Sequence, residues 1–298
     1  MTTDTRTWMG KLPEKTTLNN IMMPGSHDAG MSELHHCSIG AGHSNTQTQQ
    51  MDIYGQLEAG SRYFDIRIDY DHGELVTYHR TGPFGCNGQS IAAILRQAIS
   101  FLQRYQTEVV ILKVSHIRDN KKDTKARLKN MLLSPEFEKC LYKSDDTSNL
   151  ANLVLREAAG KVVIVLDYDE GIDPAHGFFR FRDGFVERKK VWICGYRGLN
   201  MTVCDRYSDT SSYGKMSEDQ IGKWNEYAGM GRDYLFLLSW TLTAGAEGSI
   251  RELAHTANSN LPGVLSMQSA LKKPKPNIVY IDYMNVEIAR VIISYNFE

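Results

Sequence analysis

Two histidines, an arginine and several aspartates stand where short apolar runs end. His27 and Asp28 follow the run 20–23, Arg67 ends 63–66, and His79 ends 75–78. Ser115 and His116 end 109–114, Asp167 ends 162–166, and Asp282 ends 278–281. These residue types suit phosphodiester cleavage without a metal. A hydroxyl must lose its proton, the phosphoryl charge must be neutralised, and the leaving alkoxide must be protonated. Two histidines can share the proton work, because an imidazole titrates near neutrality. An arginine offers a planar, permanently charged fork matched to phosphate oxygens. A carboxylate behind one histidine fixes its tautomer and steadies the imidazolium. His27 fits a general base oriented by Asp282, Arg67 a phosphate clamp, and His79 a general acid, with Asp28 supporting His79 or Arg67.

Such a set acts together only if the apolar runs are strands whose carboxyl ends converge, as they do on one face of an α/β barrel. Runs rich in β-branched and aromatic residues recur at 62–68, 75–79, 108–115, 161–168, 191–195, 234–241 and 278–283. Several are continuously apolar, the mark of strands buried on both faces. Between many of them lie helical patterns. In 91–104 the residues Ile91, Ile94, Leu95, Ala98, Phe101 and Leu102 share one face at the helical period. Segments 123–133, 217–230 and 286–294 also read as helices. Strands alternating with helices predict a parallel sheet. Only six residues separate Ile68 from Leu75, too few for a helical crossover. An irregular α/β barrel is therefore expected. No linker or repeat splits the chain, which reads as one domain over residues 1–298.

Composition narrows the function classes. The 298 residues carry 34 Lys plus Arg against 35 Asp plus Glu, a formal charge of −1. That balance argues against a bulk electrostatic nucleic-acid binder. The five cysteines are widely spaced with no C-x-x-C pair, so a disulfide framework is not expected, although a few of them could pair. The first residues show no signal-peptide pattern, and the longest apolar stretch is too short to span a bilayer. A soluble protein is expected, with membrane contact only peripheral. Nucleotide-binding, zinc-protease and EF-hand signatures are absent. The segment 42–46 (Gly-His-Ser-Asn-Thr) lacks the final glycine and the preceding strand of a nucleophile elbow. His35, His36 and His43 read as solvated residues of a polar loop.

The segment Met22-Met23-Pro24-Gly25-Ser26-His27-Asp28-Ala29-Gly30 is followed about 40 residues later by Tyr63-Phe64-Asp65-Ile66-Arg67, then by Tyr78-His79 and finally by Ile281-Asp282-Tyr283. Together these resemble the bacterial phosphatidylinositol-specific phospholipase C family, the X-domain type of distorted TIM-type barrel. The resemblance runs from Trp8-Met9 to Asp282. It implies attack of the inositol 2-hydroxyl on the neighbouring phosphate, giving diacylglycerol and inositol 1,2-cyclic phosphate, with slower hydrolysis to inositol 1-phosphate. It further implies a monomer that meets its lipid at a membrane surface and is secreted. The lack of a signal peptide in the chain leaves a cytoplasmic location as the alternative. Arg67 stands where calcium-dependent relatives carry a carboxylate, so the resemblance is to the metal-independent branch and implies no metal or cofactor.

Asp205 and Tyr207 match the family's Asp-x-Tyr segment, which implies a hydroxyl acceptor and a ring facing the sugar. The chain departs from the family pattern at Ser115 and Asp167, where basic residues are usual. Asp167 can still accept a hydroxyl, and Lys113 or Arg197 could substitute in space. Asp65 reads as a partner of Arg67 or of a backbone amide. Met31, Leu34, Ile39, Pro83 and Phe84 are the apolar candidates for the membrane interface. Two other readings remain: a metal-dependent glycerophosphodiesterase-like barrel, which needs acidic cation ligands, and an inert inositol-lipid-binding module.

Overall fold

Met23–Ser26 (β1) is the seam of the sheet. In the computed structural model it pairs in parallel with Ile278–Ile281 (β12) on one side and with Tyr63–Asp71 (β2) on the other. The ring continues in parallel from β2 through Val110–Arg118 (β5), Val162–Leu166 (β6), Phe178–Asp183 (β7), Met201–Cys204 (β10) and Leu235–Ser239 (β11) back to β12. Eight parallel strands thus close a TIM-type barrel. The structure describes residues 3–118, 123–144, 149–183, 185–186, 191–192, 200–245 and 248–298.

The irregularity expected from the short 68–75 interval is a hairpin. Glu74–Thr81 (β3) runs antiparallel to β2, and Phe84–Ser90 (β4) runs antiparallel to β3. Both extend the sheet outside the ring. A second departure lies between β6 and β7, where the 3₁₀ turn Pro174–His176 stands in place of a crossover helix. The helices among the described residues are His43–Thr46 (α1), Ile53–Ala59 (α2), Ile91–Arg104 (α3), Thr124–Leu132 (α4), Tyr213–Tyr227 (α5), Ile250–Ala270 (α6) and Val286–Ser294 (α7). α3 and α7 have the bounds that their periodicity predicts. α5 begins four residues earlier than expected because Ser212 caps it, accepting from the Lys215 amide. None of these helices is long and apolar enough to cross a membrane.

The expected strand 191–195 corresponds within the described residues only to Val191–Trp192 (β9), which pairs with Phe185–Val186 (β8) in a separate two-stranded sheet. The rest of that run, with Cys194 and Arg197, lies outside the described residues. β7 and β10 take the barrel places instead.

Alternation along the strands sorts the core into two layers. Tyr63, Ile111, Val163 and Val165 belong to one buried cluster, while Phe64, Ile66, Val110, Leu112 and Ile164 pack with the apolar stripe of α3 in another. The register aligns Tyr63 with Ile111, Asp65 with Lys113 and Arg67 with Ser115. The first layer is therefore apolar at the amino-terminal end of the strands and polar at the carboxyl end, as barrel chemistry requires. Below the site, Arg62 and Glu108 form a fully buried ion pair at 2.7 Å. Glu108 also accepts the amides of Met9 and Gly10, and Trp8 donates to the Gly60 carbonyl. The amino-terminal segment is thereby tied to the barrel.

Some of the cysteines pair, as the sequence left open. Cys37 and Cys86 are joined, 49 residues apart; Cys204 is also disulfide-bonded, and Cys140 is a free thiol. No short-range spacing announces the first bond, because it depends on β4 returning beneath the loop that follows β1.

Candidate active site

The turn after β1 carries the first two polar groups. The His27 amide donates to the Ile281 carbonyl, and the Ala29 amide to the Asp65 carbonyl. These bonds fix the His-Asp pair between β12 and β2. Asp28 sits in the left-handed region at φ 39°, a conformation non-glycine residues adopt only when their surroundings enforce it. Gly30 is demanded by packing, since a Cβ there would lie 2.4 Å from Thr77 Cγ2.

His27 Nδ1 lies 2.8 Å from Asp282 Oδ1, which leaves Nε2 facing the barrel mouth. Arg67 Nη2 is 3.4 Å from that Nε2. Arg67 Nε sits 2.5 Å from Asp28 Oδ1 and 3.9 Å from Asp65 Oδ2. His79 donates from Nδ1 to the Thr46 carbonyl at 2.9 Å, and its Nε2 is 3.9 Å from Asp28 Oδ2. The same Asp28 oxygen is 3.6 Å from His27 Nε2. The buried Asp28 carboxylate is thus surrounded by both imidazoles and the guanidinium, with no aligned hydrogen bond to its oxygens.

Burial opposes charge on His27, but the Asp28 and Asp282 carboxylates outweigh it and raise its pKa from 6.5 to about 9. Asp65 is likewise opposed by burial, yet Lys113 and Arg67 hold it well below the usual carboxylate range. Asp65 accepts from Ser115 Oγ at 3.0 Å and from the Tyr280 hydroxyl at 2.7 Å, and its Oδ1 lies 3.1 Å from Lys113 Nζ. Lys113 also reaches to 3.5 Å from Asp205 Oδ2.

A cavity of about 680 Å³ opens over this cluster. Its lining includes His27, Arg67, His79, Asp282, Asp205 and Tyr207. Asp28 lies beneath it, and Ser115 is turned to Asp65. Asp167 does not line the cavity; its Oδ2 accepts the His116 amide at 3.0 Å. Lys113, which could substitute for the basic residue missing at Ser115, lines the cavity. Three further groups were not singled out from the sequence. Tyr280 meets the His27 ring edge-on at 5.1 Å. Thr46 orients His79, and Gln49 donates to both the His27 and Ile281 carbonyls. Period-two alternation from Asp282 would have found Tyr280, and the same rule from Ser115 gives Lys113. Nothing local marks Thr46 or Gln49.

At the rim, Ile39 is fully exposed, and Tyr207 and Phe84 are exposed. Met31, expected among the interface candidates, is instead buried at 1% exposure, because the chain turns inward beneath β4.

The fold and cluster define an α/β barrel with two imidazoles, a guanidinium and buried carboxylates gathered at the carboxyl end of its strands. Comparison with known proteins narrows this class. The chain is 30% identical over 161 residues to 1-phosphatidylinositol phosphodiesterase of Listeria monocytogenes, a match covering 54% of this chain and 48% of that protein. It is 27% identical over 172 residues to the Staphylococcus aureus (strain Newman) protein of the same name, covering 53% and 49%. Human PI-PLC X domain-containing protein 3 is 30% identical over 154 residues, covering 42% and 46%. The chain spans about half the length of the curated relatives it matches. No family model matches it. Among solved structures, the Listeria monocytogenes phosphatidylinositol-specific phospholipase C superposes with a TM-score of 0.70 at 21% identity, covering 98% of each chain. A Staphylococcus aureus phosphatidylinositol-specific phospholipase C gives 0.73 at 20%, with the same coverage. The barrel fold is that of these solved phospholipases, and over about half of the chain the sequence is similar to proteins named 1-phosphatidylinositol phosphodiesterase and PI-PLC X domain-containing protein.

Proposed function

We propose that this protein is a phosphatidylinositol-specific phospholipase C that cleaves its lipid by intramolecular attack. The observation that carries this reading is the convergence of His27, Arg67 and His79 around Asp28. His27, held by Asp282, takes the proton of the inositol 2-hydroxyl through Nε2. That oxygen attacks the adjacent phosphorus while Arg67 neutralises the phosphoryl oxygens. His79 gives a proton to the departing diacylglycerol oxygen. The products are diacylglycerol and inositol 1,2-cyclic phosphate; slower addition of water gives inositol 1-phosphate. Because nucleophile and phosphate belong to one molecule, proximity is supplied by the substrate. Each proton-transfer group contributes about 10²–10⁴ in rate.

Asp205 and Tyr207 are proposed to hold the inositol ring, with Lys113 steadying Asp205. Ser115 acts through Asp65, and Asp167 through the loop that bears His116. His27, Asp28 and Asp65 have ligand atoms within 4.8 Å of one another, but the Arg67 guanidinium already lies against both aspartates. The reaction is therefore proposed to be metal-independent, and a chelator should leave the rate unchanged. Ile39 and Phe84, both exposed, suit a transient membrane contact by a monomer.

Phosphorus NMR of a phosphatidylinositol digest tests the reading. A cyclic phosphate should appear first, and His27→Ala should abolish it without loss of the folded circular-dichroism signal. Release of no phosphorylated inositol by the wild type would overturn the assignment in favour of an inert lipid-binding module.

A further inference from the structure

His36 and His72 are far apart in sequence and have no part in the proposed reaction, yet their rings meet at the protein surface. Their ring centroids are 3.8 Å apart. Asp71 Oδ2 lies 2.9 Å from His72 Nδ1 and 3.7 Å from His36 Nδ1. One ligand atom from each of the three residues can be chosen so that all lie within 4.8 Å of one another. Ligands about 2.0–2.1 Å from a tetrahedral ion stand roughly 3.4 Å apart. Small side-chain rotations would therefore bring this set into coordination.

The framework around the three is built rather than incidental. His72 and Gly73 form the two-residue turn between β2 and β3, with φ of 48° and 90°. Such turns favour Asn-Gly, and here the asparagine place holds a ligand-bearing side chain. His36 is also left-handed, at φ 46°. Its position is clamped from both sides: Cys37 is bonded to Cys86, and the backbones of His35 and Asn87 exchange two hydrogen bonds. Asn87 Nδ2 also donates to Asp71 Oδ2 at 2.7 Å, orienting the carboxylate as outer partners do for metal ligands.

We propose that His36, Asp71 and His72 form a binding site for a divalent transition-metal ion of the zinc type. Two imidazoles and one carboxylate suit zinc, nickel or copper rather than calcium or magnesium. All three residues are solvent-accessible, so water completes the coordination. The ion would join the β2–β3 turn to the loop carrying Ile39. The site is independent of the proposed cleavage reaction.

Isothermal titration calorimetry with zinc chloride in a non-chelating buffer tests the proposal. One ion should bind the wild-type protein at micromolar Kd and raise its Tm. His72→Asn keeps a residue suited to the turn and should weaken binding at least tenfold. His27→Ala should leave the affinity unchanged. Absence of binding to the wild type would overturn the proposal, as would unaltered affinity in His72→Asn. Loss of binding in His27→Ala with retention in His72→Asn would overturn it too, by moving the ion to the cavity floor.

Discussion

At the scale of residues, the chemistry turns on how carboxylates are distributed around one imidazole. His27 has two, Asp282 at Nδ1 and Asp28 near Nε2, and together they lift its pKa to about 9. In the proposed reaction His27 is the general base and must be unprotonated to act. The acid side of the profile of kcat/KM against pH should therefore fall about tenfold per unit below that value rather than below the ordinary 6.5. Asp282→Asn removes one charge and no longer fixes the His27 tautomer, while keeping the shape of the side chain. The limb should then move toward lower pH, and the rate at the optimum should drop about 10²–10⁴-fold. A limb that stays in place would show that another group is being titrated. Much of this cluster was legible in the sequence, because His27, Arg67, His79 and Asp282 each close an apolar run. Tyr280 was hidden inside such a run, and Lys113 was readable only as a spatial substitute, because the facing of a polar residue within an apolar run is not evident until the sheet is closed. Thr46 and Gln49 act through contacts that depend on the folded loop.

At the scale of elements, the support beneath the site is a buried ion pair. Arg62 and Glu108 are both inaccessible, and Arg62 also donates to the Leu57, Ser61, Thr5 and Arg6 carbonyls. Replacing Arg62 by methionine leaves Glu108 charged without its partner, which costs about 3–5 kcal/mol. Urea unfolding should show that loss, whereas replacing exposed Arg96, paired with Glu136 at the surface, should cost under about 1 kcal/mol. The same contrast explains which elements were readable. α3 and α7 declare themselves because one face is buried and the other is wet. α6 contains Pro262 and several polar residues, so its helical period is obscured. β7 mixes arginine with phenylalanine, and its buried Arg180 is satisfied by Asp169 and backbone carbonyls; only that tertiary partnering makes it a barrel strand.

At the scale of the whole molecule, charge and exposed apolar surface act together. A formal charge of −1 gives no general attraction to anionic lipid. Binding to vesicles should therefore change little with salt or anionic lipid content, and Ile39→Ser should weaken it severalfold in a sedimentation assay. The barrel architecture followed from the alternation of strands and helices, and its irregularity from the short 68–75 interval. The ring membership of β7 and β10, and the covalent tie at Cys37, could not be read, since each depends on what the closed sheet brings into register.

The seam between β1 and β12 has a temporal consequence. His27 and Asp282 are 255 positions apart, and the strands that bear them are the first and last to enter the ring. During synthesis every other wall of the cavity can exist before His27 has the Asp282 carboxylate. Catalytic competence is then an indicator that the ring has shut, which backbone structure by itself is not. Non-local closure of this kind is slow compared with forming local helices. In refolding from denaturant with the disulfides intact, recovery of lipid cleavage should lag behind far-ultraviolet circular dichroism. Simultaneous recovery would mean that the ends of the chain meet early and template the rest.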